Sequence, residues 1–252
     1  MGRAAALLSR RVVAFLALAT AIGVYYGTHE RWFNLSLWWD LAWLCFLLIP
    51  AVFGLVWFAL PLWRQPFVRL LAAALSCGLA AVLLEWAGAA AVANFAKLAG
   101  MTFAAWCFLR FFEELSWVVL VASIVPFVDS YSVWRGPTKK IVTEQPQVFD
   151  ALSFTFPVPG ENGGAKLGLP DLLFFALFLG AADRWRLRVG WTWVCLTASL
   201  GGTMALATWW EVDGLPALPL LCLGFLLPNA DLLWRALRGR SGTARDRRPA
   251  RS

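Results

Sequence analysis

The stretch VASIVPFVDSYSVW, Val121–Trp134, contains the feature that decides how this chain folds. An apolar run typical of membrane-spanning helices extends from Val118 to Val128, and Asp129 follows it directly. Placing an aspartate in hydrocarbon costs roughly 2.5–3.5 kcal/mol on insertion scales. Asp129 therefore either marks the membrane interface beside Trp134 or has a function inside the bilayer.

The composition predicts an integral membrane protein. The 252 residues are 60% hydrophobic and 15% charged, whereas soluble domains average about 45–50% apolar and about 25% charged residues. No polar stretch is long enough for a second folded domain, so we predict one polytopic transmembrane domain over residues 1–236. The predicted fold class is an all-α membrane protein.

The histidine and cysteine content argues against several kinds of chemistry. His29 is the only histidine, which argues against a histidine-based metal site and against a Ser-His-Asp triad. The five cysteines lie in apolar runs without a C-x-x-C pair, and we interpret them as buried free thiols. We therefore predict no metal and no cofactor.

Apolar segments of about 20 residues predict the spanning helices. We predict eight, or nine if the family comparison below holds in full, and tryptophans lie near most of their ends. A very tight turn at Glu85-Trp86 would join the third segment to the fourth. The segments lie near residues 11–27, 37–62, 67–85, 88–109, 115–134, 168–183, 188–210 and 214–235.

The distribution of arginine predicts the orientation. Residues 235–252 contain seven arginines and one aspartate, a net +6 of the chain's +7. We interpret residues 237–252 as a disordered cytoplasmic tail beside anionic membrane lipid, and predict no nucleic-acid partner. With eight crossings the N-terminus and the tail share the cytoplasmic side, and residues 135–167 lie outside. Lys139 and Lys140 oppose this last assignment mildly.

The connection between the fifth and sixth segments is polar and rich in Pro and Gly, as in loops. Within it ALSFTF, residues 151–156, alternates apolar and polar residues as a strand does. We therefore predict a short β-strand or hairpin here.

Two further features accompany Asp129. Asp171 begins an apolar helix, preceded by Gly168, Leu169 and Pro170. The last segment opens with Pro216-Ala217-Leu218-Pro219. Taken singly, an acid or a proline at a helix start has an ordinary structural explanation.

In combination the motifs resemble the presenilin and signal peptide peptidase family of intramembrane aspartyl proteases, including its bacterial and archaeal members. In that family, a Tyr-Asp motif, often continued as Asp-Ala-x-Ser-Val, supplies one catalytic aspartate. A Gly-x-Gly-Asp motif on the next helix supplies the other, and Pro-Ala-Leu on the last helix packs against the site. Here the corresponding residues are Asp129–Val133, Gly168–Asp171 and Pro216–Leu218. The resemblance covers residues 113–236, which would form the catalytic half of a nine-helix fold.

The resemblance implies that Asp129 and Asp171 form the catalytic pair. It also implies a substrate-binding strand just before the second aspartate, where Ser153–Phe156 lies, although an ordinary loop strand remains an alternative. The residues expected to support the site or bind substrate are Ser132, Phe154, Phe156, Gly168, Leu169, Pro170, Pro216, Ala217 and Leu218.

The sequence departs from the family pattern at two positions. Val128 replaces the tyrosine of the Tyr-Asp pair, and Pro170 replaces the glycine before the second aspartate. Proline fixes φ near −65° where glycine would be free. Type IV prepilin peptidases share the Gly-x-Gly-Asp motif but lack the Pro-Ala-Leu helix, and match less well.

Two facing carboxylates suit peptide hydrolysis without a metal, because they cannot both ionise easily and so share one proton. The expected activity is cleavage of transmembrane segments of other membrane proteins or of remnant signal peptides, in a bacterial or archaeal cytoplasmic membrane. One alternative is an ion- or proton-coupled transporter or channel that uses the same carboxylates. Another is an inactive relative that binds helices without cutting them.

Overall fold

The computed structural model describes residues 2–135, 146–212 and 215–245, and this part of the chain is almost entirely helical. Leu37–Arg64 forms one helical rod in which a π-helical turn, Leu44–Leu48, separates α2 from α3. The elements in chain order are α1 (Gly2–Thr28), α2 (Leu37–Trp43), α3 (Ile49–Ala59), α4 (Phe67–Trp86), α5 (Ala90–Leu109), α6 (Leu115–Arg135), α7 (Pro146–Ala151), β1 (Ser153–Pro157), β2 (Gly164–Gly168), α8 (Leu169–Arg184), α9 (Val189–Trp209) and α10 (Leu218–Arg245).

Six helical stretches of the described residues are long and apolar enough to cross a membrane, which confirms an all-α, membrane-type chain. The predicted number of eight is therefore too high by this measure. The other two predicted segments are helical but fall short: α8 has only 16 residues, and the apolar part of α10 is interrupted by Asp231 and ends before Arg235. The six are Ser9–Arg31, Leu37–Arg64, Phe67–Trp86, Ala90–Leu109, Leu115–Arg135 and Val189–Trp209.

The last helix also extends beyond the predicted domain end. We expected disorder from residue 237, but α10 continues to Arg245, because alanine, leucine and arginine are good helix formers. The remainder of the predicted tail, residues 246–252, lies outside the described residues.

The tight turn between α4 and α5 is present two residues later than predicted. Helix α4 continues through Trp86, and the chain reverses at Gly88, whose φ of +75° is unfavourable for any residue with a side chain. The two helices then pack closely, since a Cβ on Gly100 would lie 3.4 Å from the Gly78 nitrogen. These contacts make α4 and α5 a helical hairpin.

Arginines tie several helix ends together at one end of the bundle. Arg64 forms a 2.9 Å salt bridge with Asp183, which also accepts the Trp63 indole N–H. Arg188 pairs with Asp231 through both guanidinium nitrogens, at 2.7 and 2.9 Å. Arg64 thereby ties the end of the Leu37–Arg64 rod to the end of α8, and Arg188 ties the start of α9 to α10.

The predicted hairpin is present at the opposite end. Strand β1 pairs antiparallel with β2, in a register that places Ser153 opposite Gly168 and Phe156 opposite Ala165. The strand prediction located β1 only, because the glycines of β2 hide its alternation. The hairpin is attached to α1: the Tyr25 hydroxyl donates to the Pro157 carbonyl over 2.8 Å, and the Gly160 N–H donates to the His29 carbonyl over 2.8 Å.

We predict that Gly160→Ala destabilises the protein. Gly160 has a φ of +74°, and a Cβ there would lie 1.9 Å from the Asn34 Oδ1. The strained backbone alone costs about 1–3 kcal/mol, so thermal unfolding in detergent should occur at a lower temperature than in the wild type. Gly163→Ala is the matched control, because a Cβ at Gly163 meets no atom within 4 Å. Equal melting temperatures for the two variants would contradict this account.

Candidate functional site

Asp129 lies six residues before the end of α6, at the end of the bundle that holds the hairpin. Helix α6 packs chiefly against α10, and among its own residues only Val118 and Ala122 are buried. Pro126, one turn before Asp129, removes one backbone hydrogen bond from this helix. Asp129 itself is half-buried. It therefore faces the protein from a helix that is otherwise mostly exposed.

Asp171 occupies the third position of α8, where an acid can cap the helix start. Gly168 is the N-cap residue, with φ −63° and ψ 144°, and its backbone N–H donates to the Asp171 carboxylate. A Cβ on Gly168 would lie 3.2 Å from the Asp171 Oδ2, so a side chain there would crowd the carboxylate. Pro170 lies in the first turn, where its missing N–H has no intrahelical partner to lose.

The first and third motifs meet through a hydrogen bond. The Leu218 N–H donates to the Asp129 Oδ2 over 3.1 Å, across 89 residues of sequence. Leu218 begins α10, so this N–H is one of the helix's first donors and has no partner within its own helix. Asp129 therefore caps α10 from another helix.

The second motif joins them through electrostatics. The Asp129 carboxylate lies close enough to Asp171 for the two charges to repel each other. It also interacts electrostatically with the thiol of Cys222, one turn after Leu218. Like charges brought together in a site with little water disfavour double ionisation. The three motifs of the resemblance thus converge on one pair of carboxylates.

The remaining predicted site residues divide into two groups. Ala217 and Leu218 are buried beside the pair, and Ser132 and Leu169 are half-buried near it in sequence. Phe154 and Phe156 are completely buried, with ring centroids 4.8 Å apart. Their side chains belong to the hydrophobic core, so any support that they give to the site comes from packing beneath the hairpin.

The two departures from the family pattern lie on exposed positions. Val128 is 61% exposed, and Pro170 is exposed at the start of α8. Neither side chain covers the carboxylate pair. The half-buried Pro216 precedes the buried Ala217 at the entry to α10.

A large apolar groove lies beside the site. It has a volume of about 890 Å³ and follows the faces of α4 and α5. Leu152 and Leu169 close it next to the hairpin, so it ends two residues from Asp171. Its charged residues are Glu85 and Lys97, which form a 2.9 Å ion pair.

Two polar residues of α5 were not among the predicted site residues. Asn94 and Lys97 are both buried, and both contact the backbone of β1. The signal was available, because a lysine inside an apolar helix of a membrane protein is costly. The motifs of the resemblance all lie within residues 113–236, so they gave no indication of these two residues of α5.

No protein-family model and no functionally characterised protein matches this sequence.

We predict opposite stability effects for two kinds of aspartate. Asp129→Asn and Asp171→Asn should leave the melting temperature unchanged or raise it, because each removes an acid whose ionisation the other disfavours, while the asparagine oxygen can still accept the backbone N–H. Asp183→Asn is the matched structural comparison, since Asp183 accepts bonds from Trp63 and Arg64. Weakening these bonds should lower the free energy of unfolding by about 1–3 kcal/mol. If Asp171→Asn destabilises as much as Asp183→Asn in thermal unfolding, Asp171 is a structural helix cap.

Proposed function

We propose that this protein is an intramembrane aspartyl protease that hydrolyses peptide bonds within transmembrane segments or remnant signal peptides. The observation that carries the proposal is the convergence of Asp129, Asp171 and the Leu218 N–H. Each motif alone has an ordinary explanation. Their meeting on one pair of carboxylates is what a dyad of the presenilin type requires.

The chemistry uses one proton shared by two carboxyl groups. The ionised group removes a proton from a water molecule as the water oxygen attacks the peptide carbonyl carbon. The protonated group donates its proton to the carbonyl oxygen. Collapse of the tetrahedral intermediate breaks the C–N bond, and the amine leaves with a proton returned by the pair. Because the two groups titrate together, neither Asp129 nor Asp171 is assigned a fixed role.

Backbone donors keep the two carboxylates in position. The Leu218 N–H holds Asp129, and the Gly168 N–H holds Asp171. These donors belong to the starts of α10 and α8, so the helix dipoles also favour negative charge there.

A substrate would bind as an extended strand on the outer edge of β2. On β1, the carbonyls of Ser153, Thr155 and Pro157 bond to side chains outside the sheet, so the backbone polar groups of these residues point away from β2. In an antiparallel pair, the backbone polar groups of the residues opposite them point away from β1 in the same way. Those residues are Gly164, Lys166 and Gly168. An added peptide strand would thus lie alongside the residues that lead into α8 and Asp171.

We further propose that α8 and α10 cross the membrane with the six longer stretches. Helix α8 packs against α5, α9 and α10, and the hairpin before it extends its path towards the surface. This gives eight crossings, with the arginine-rich end in the cytoplasm of a bacterial or archaeal cell. The N-terminus and tail then share that side, and the hairpin faces outward.

The transporter and the inactive relative remain the competing functions. Among the described residues, no group of three or more His, Cys, Asp or Glu side chains is arranged to hold a metal ion. Pro170 fits the first turn of α8 without disturbing it, which supports an active rather than a damaged site.

Asp129→Ala and Asp171→Ala should each abolish cleavage of a labelled model transmembrane peptide by the purified protein. A shared-proton pair acts as a unit, so either single loss should be about as damaging as both. Wild-type cleavage should stop on addition of an aspartyl-protease transition-state inhibitor. Asp183→Ala serves as the control for loss of an acid elsewhere and should still cut.

The competing functions give different results in the same assay. If the wild type binds the peptide without cutting it, the protein is an inactive relative of the protease family. A wild type that neither binds nor cuts, but moves cations or protons across liposomes in a manner lost in Asp129→Ala, is a transporter. Near-normal cleavage by either single variant would refute the dyad.

Cysteines introduced at the hairpin turn and in the tail should be labelled from opposite sides of the membrane. Asn162→Cys replaces an exposed turn residue, and Ser252→Cys lies at the end of the tail. In intact cells that express the protein without its native cysteines, a membrane-impermeant maleimide should label Asn162→Cys only. After lysis it should label both. Labelling of both in intact cells would mean an even number of crossings between them and would contradict the three proposed here.

A further inference from the structure

The outer edge of β1 is occupied by side chains instead of by another strand. Lys97 donates to the Ser153 carbonyl over 3.1 Å, and Tyr25 donates to the Pro157 carbonyl over 2.8 Å. Between them, the Thr155 carbonyl accepts bonds from Tyr26 at 2.9 Å and from Asn94 at 3.4 Å. The Thr155 N–H donates to the Asn94 Oδ1 over 3.3 Å. We call Tyr25, Tyr26, Asn94 and Lys97 the side-chain ladder.

The ladder is buried and spans two helices. Its four side chains are between 6% and 8% exposed, with the tyrosines on α1 and the other two residues one turn apart on α5. Lys97 also donates to the Asp150 carbonyl over 3.3 Å and pairs with Glu85 on α4 at 2.9 Å. These three acceptors match the three N–H groups of its ammonium. A buried lysine is costly in a membrane protein, so its complete pairing indicates a specific role.

The ladder determines which side of the sheet can accept a strand. Every outward carbonyl of β1 and the outward N–H of Thr155 are already bonded, so an incoming peptide cannot pair there. The ladder bonds hold β1 in one register, and burial reinforces it, because a slip of β1 by one residue would turn its fully buried Phe154 and Phe156 out of the core. The register of β2 follows from its pairing with β1, and Asp171 comes three residues after β2 ends.

We propose that Asn94 and Lys97, with Tyr25 and Tyr26, are positioning residues that select the cleavage position. The ladder fixes β1, β1 fixes β2, and β2 determines which residue of an added peptide lies against Asp129 and Asp171. This rests on the proposed protease function. None of the four residues touches the reacting atoms.

The test compares the products that ladder variants and the wild type release from one model transmembrane peptide, identified by mass spectrometry. Asn94→Leu and Lys97→Met keep approximate side-chain size and remove the ladder bonds. The ratio of the main product to products cut at neighbouring positions should fall about tenfold, the change that corresponds to about 1.4 kcal/mol of lost bonding. New sites should lie two residues from the original, because strand side chains repeat with period two.

Asn229→Leu is the matched control. Asn229 is a completely buried asparagine at the arginine-rich end, where it donates to Thr192 and accepts the Arg188 N–H. Its loss should lower stability as much as Asn94→Leu does while leaving the product ratio unchanged. A general loss of stability is thereby separated from a loss of positioning.

Amide hydrogen exchange provides a readout that does not depend on cleavage. The Thr155 amide should exchange at least about tenfold faster in Asn94→Leu than in the wild type, and at the wild-type rate in Asn229→Leu. If the wild type cuts no peptide, the proposed function fails, and unchanged Thr155 exchange would then also reject the ladder. Faster exchange with an unaltered product ratio would show that the ladder supports the hairpin without selecting the cleavage position.

Discussion

A polar group inside a bilayer must find its partner within the protein, because no water is there to supply one. This constraint explains the contacts on which the structure depends. The first N–H of α10 is bonded by Asp129, the N–H before α8 is bonded by Asp171, and the open edge of β1 is bonded by α1 and α5. The same contacts that satisfy the backbone also bring the two carboxylates together.

The prediction of the helices from sequence was successful because hydrocarbon imposes a simple rule on composition. All eight predicted apolar segments are helical, and the hairpin lies where ALSFTF alternates. Apolar content does not reveal helix length, and α8 ends after 16 residues, so it falls short of the length of the six longer stretches. Gly164 and Gly168 carry no side chains, so β2 had no alternation to detect.

The candidate site shows a different limit of sequence reasoning. Asp129, Asp171 and Leu218 were found by motif and are brought together by the fold. Phe154 and Phe156 were expected to support the site or bind substrate, but alternation alone cannot say which face of a strand is inside, and both side chains are buried. Asn94 and Lys97 belong to no motif. Their importance depends on which loop packs over α5, and that is a property of the tertiary structure.

If α8 crosses the membrane as proposed, its shortness has a consequence for the surrounding lipid. Sixteen residues of helix span about 24 Å, roughly 6 Å less than a typical hydrocarbon core. Such hydrophobic mismatch is relieved by thinning of the bilayer or by protein that fills the deficit. Here the hairpin stands at the short end of α8, and Asp171 lies at that same end. The polar headgroup region, with its water, would then dip towards the carboxylates, so that membrane thickness itself becomes a determinant of how readily water reaches them.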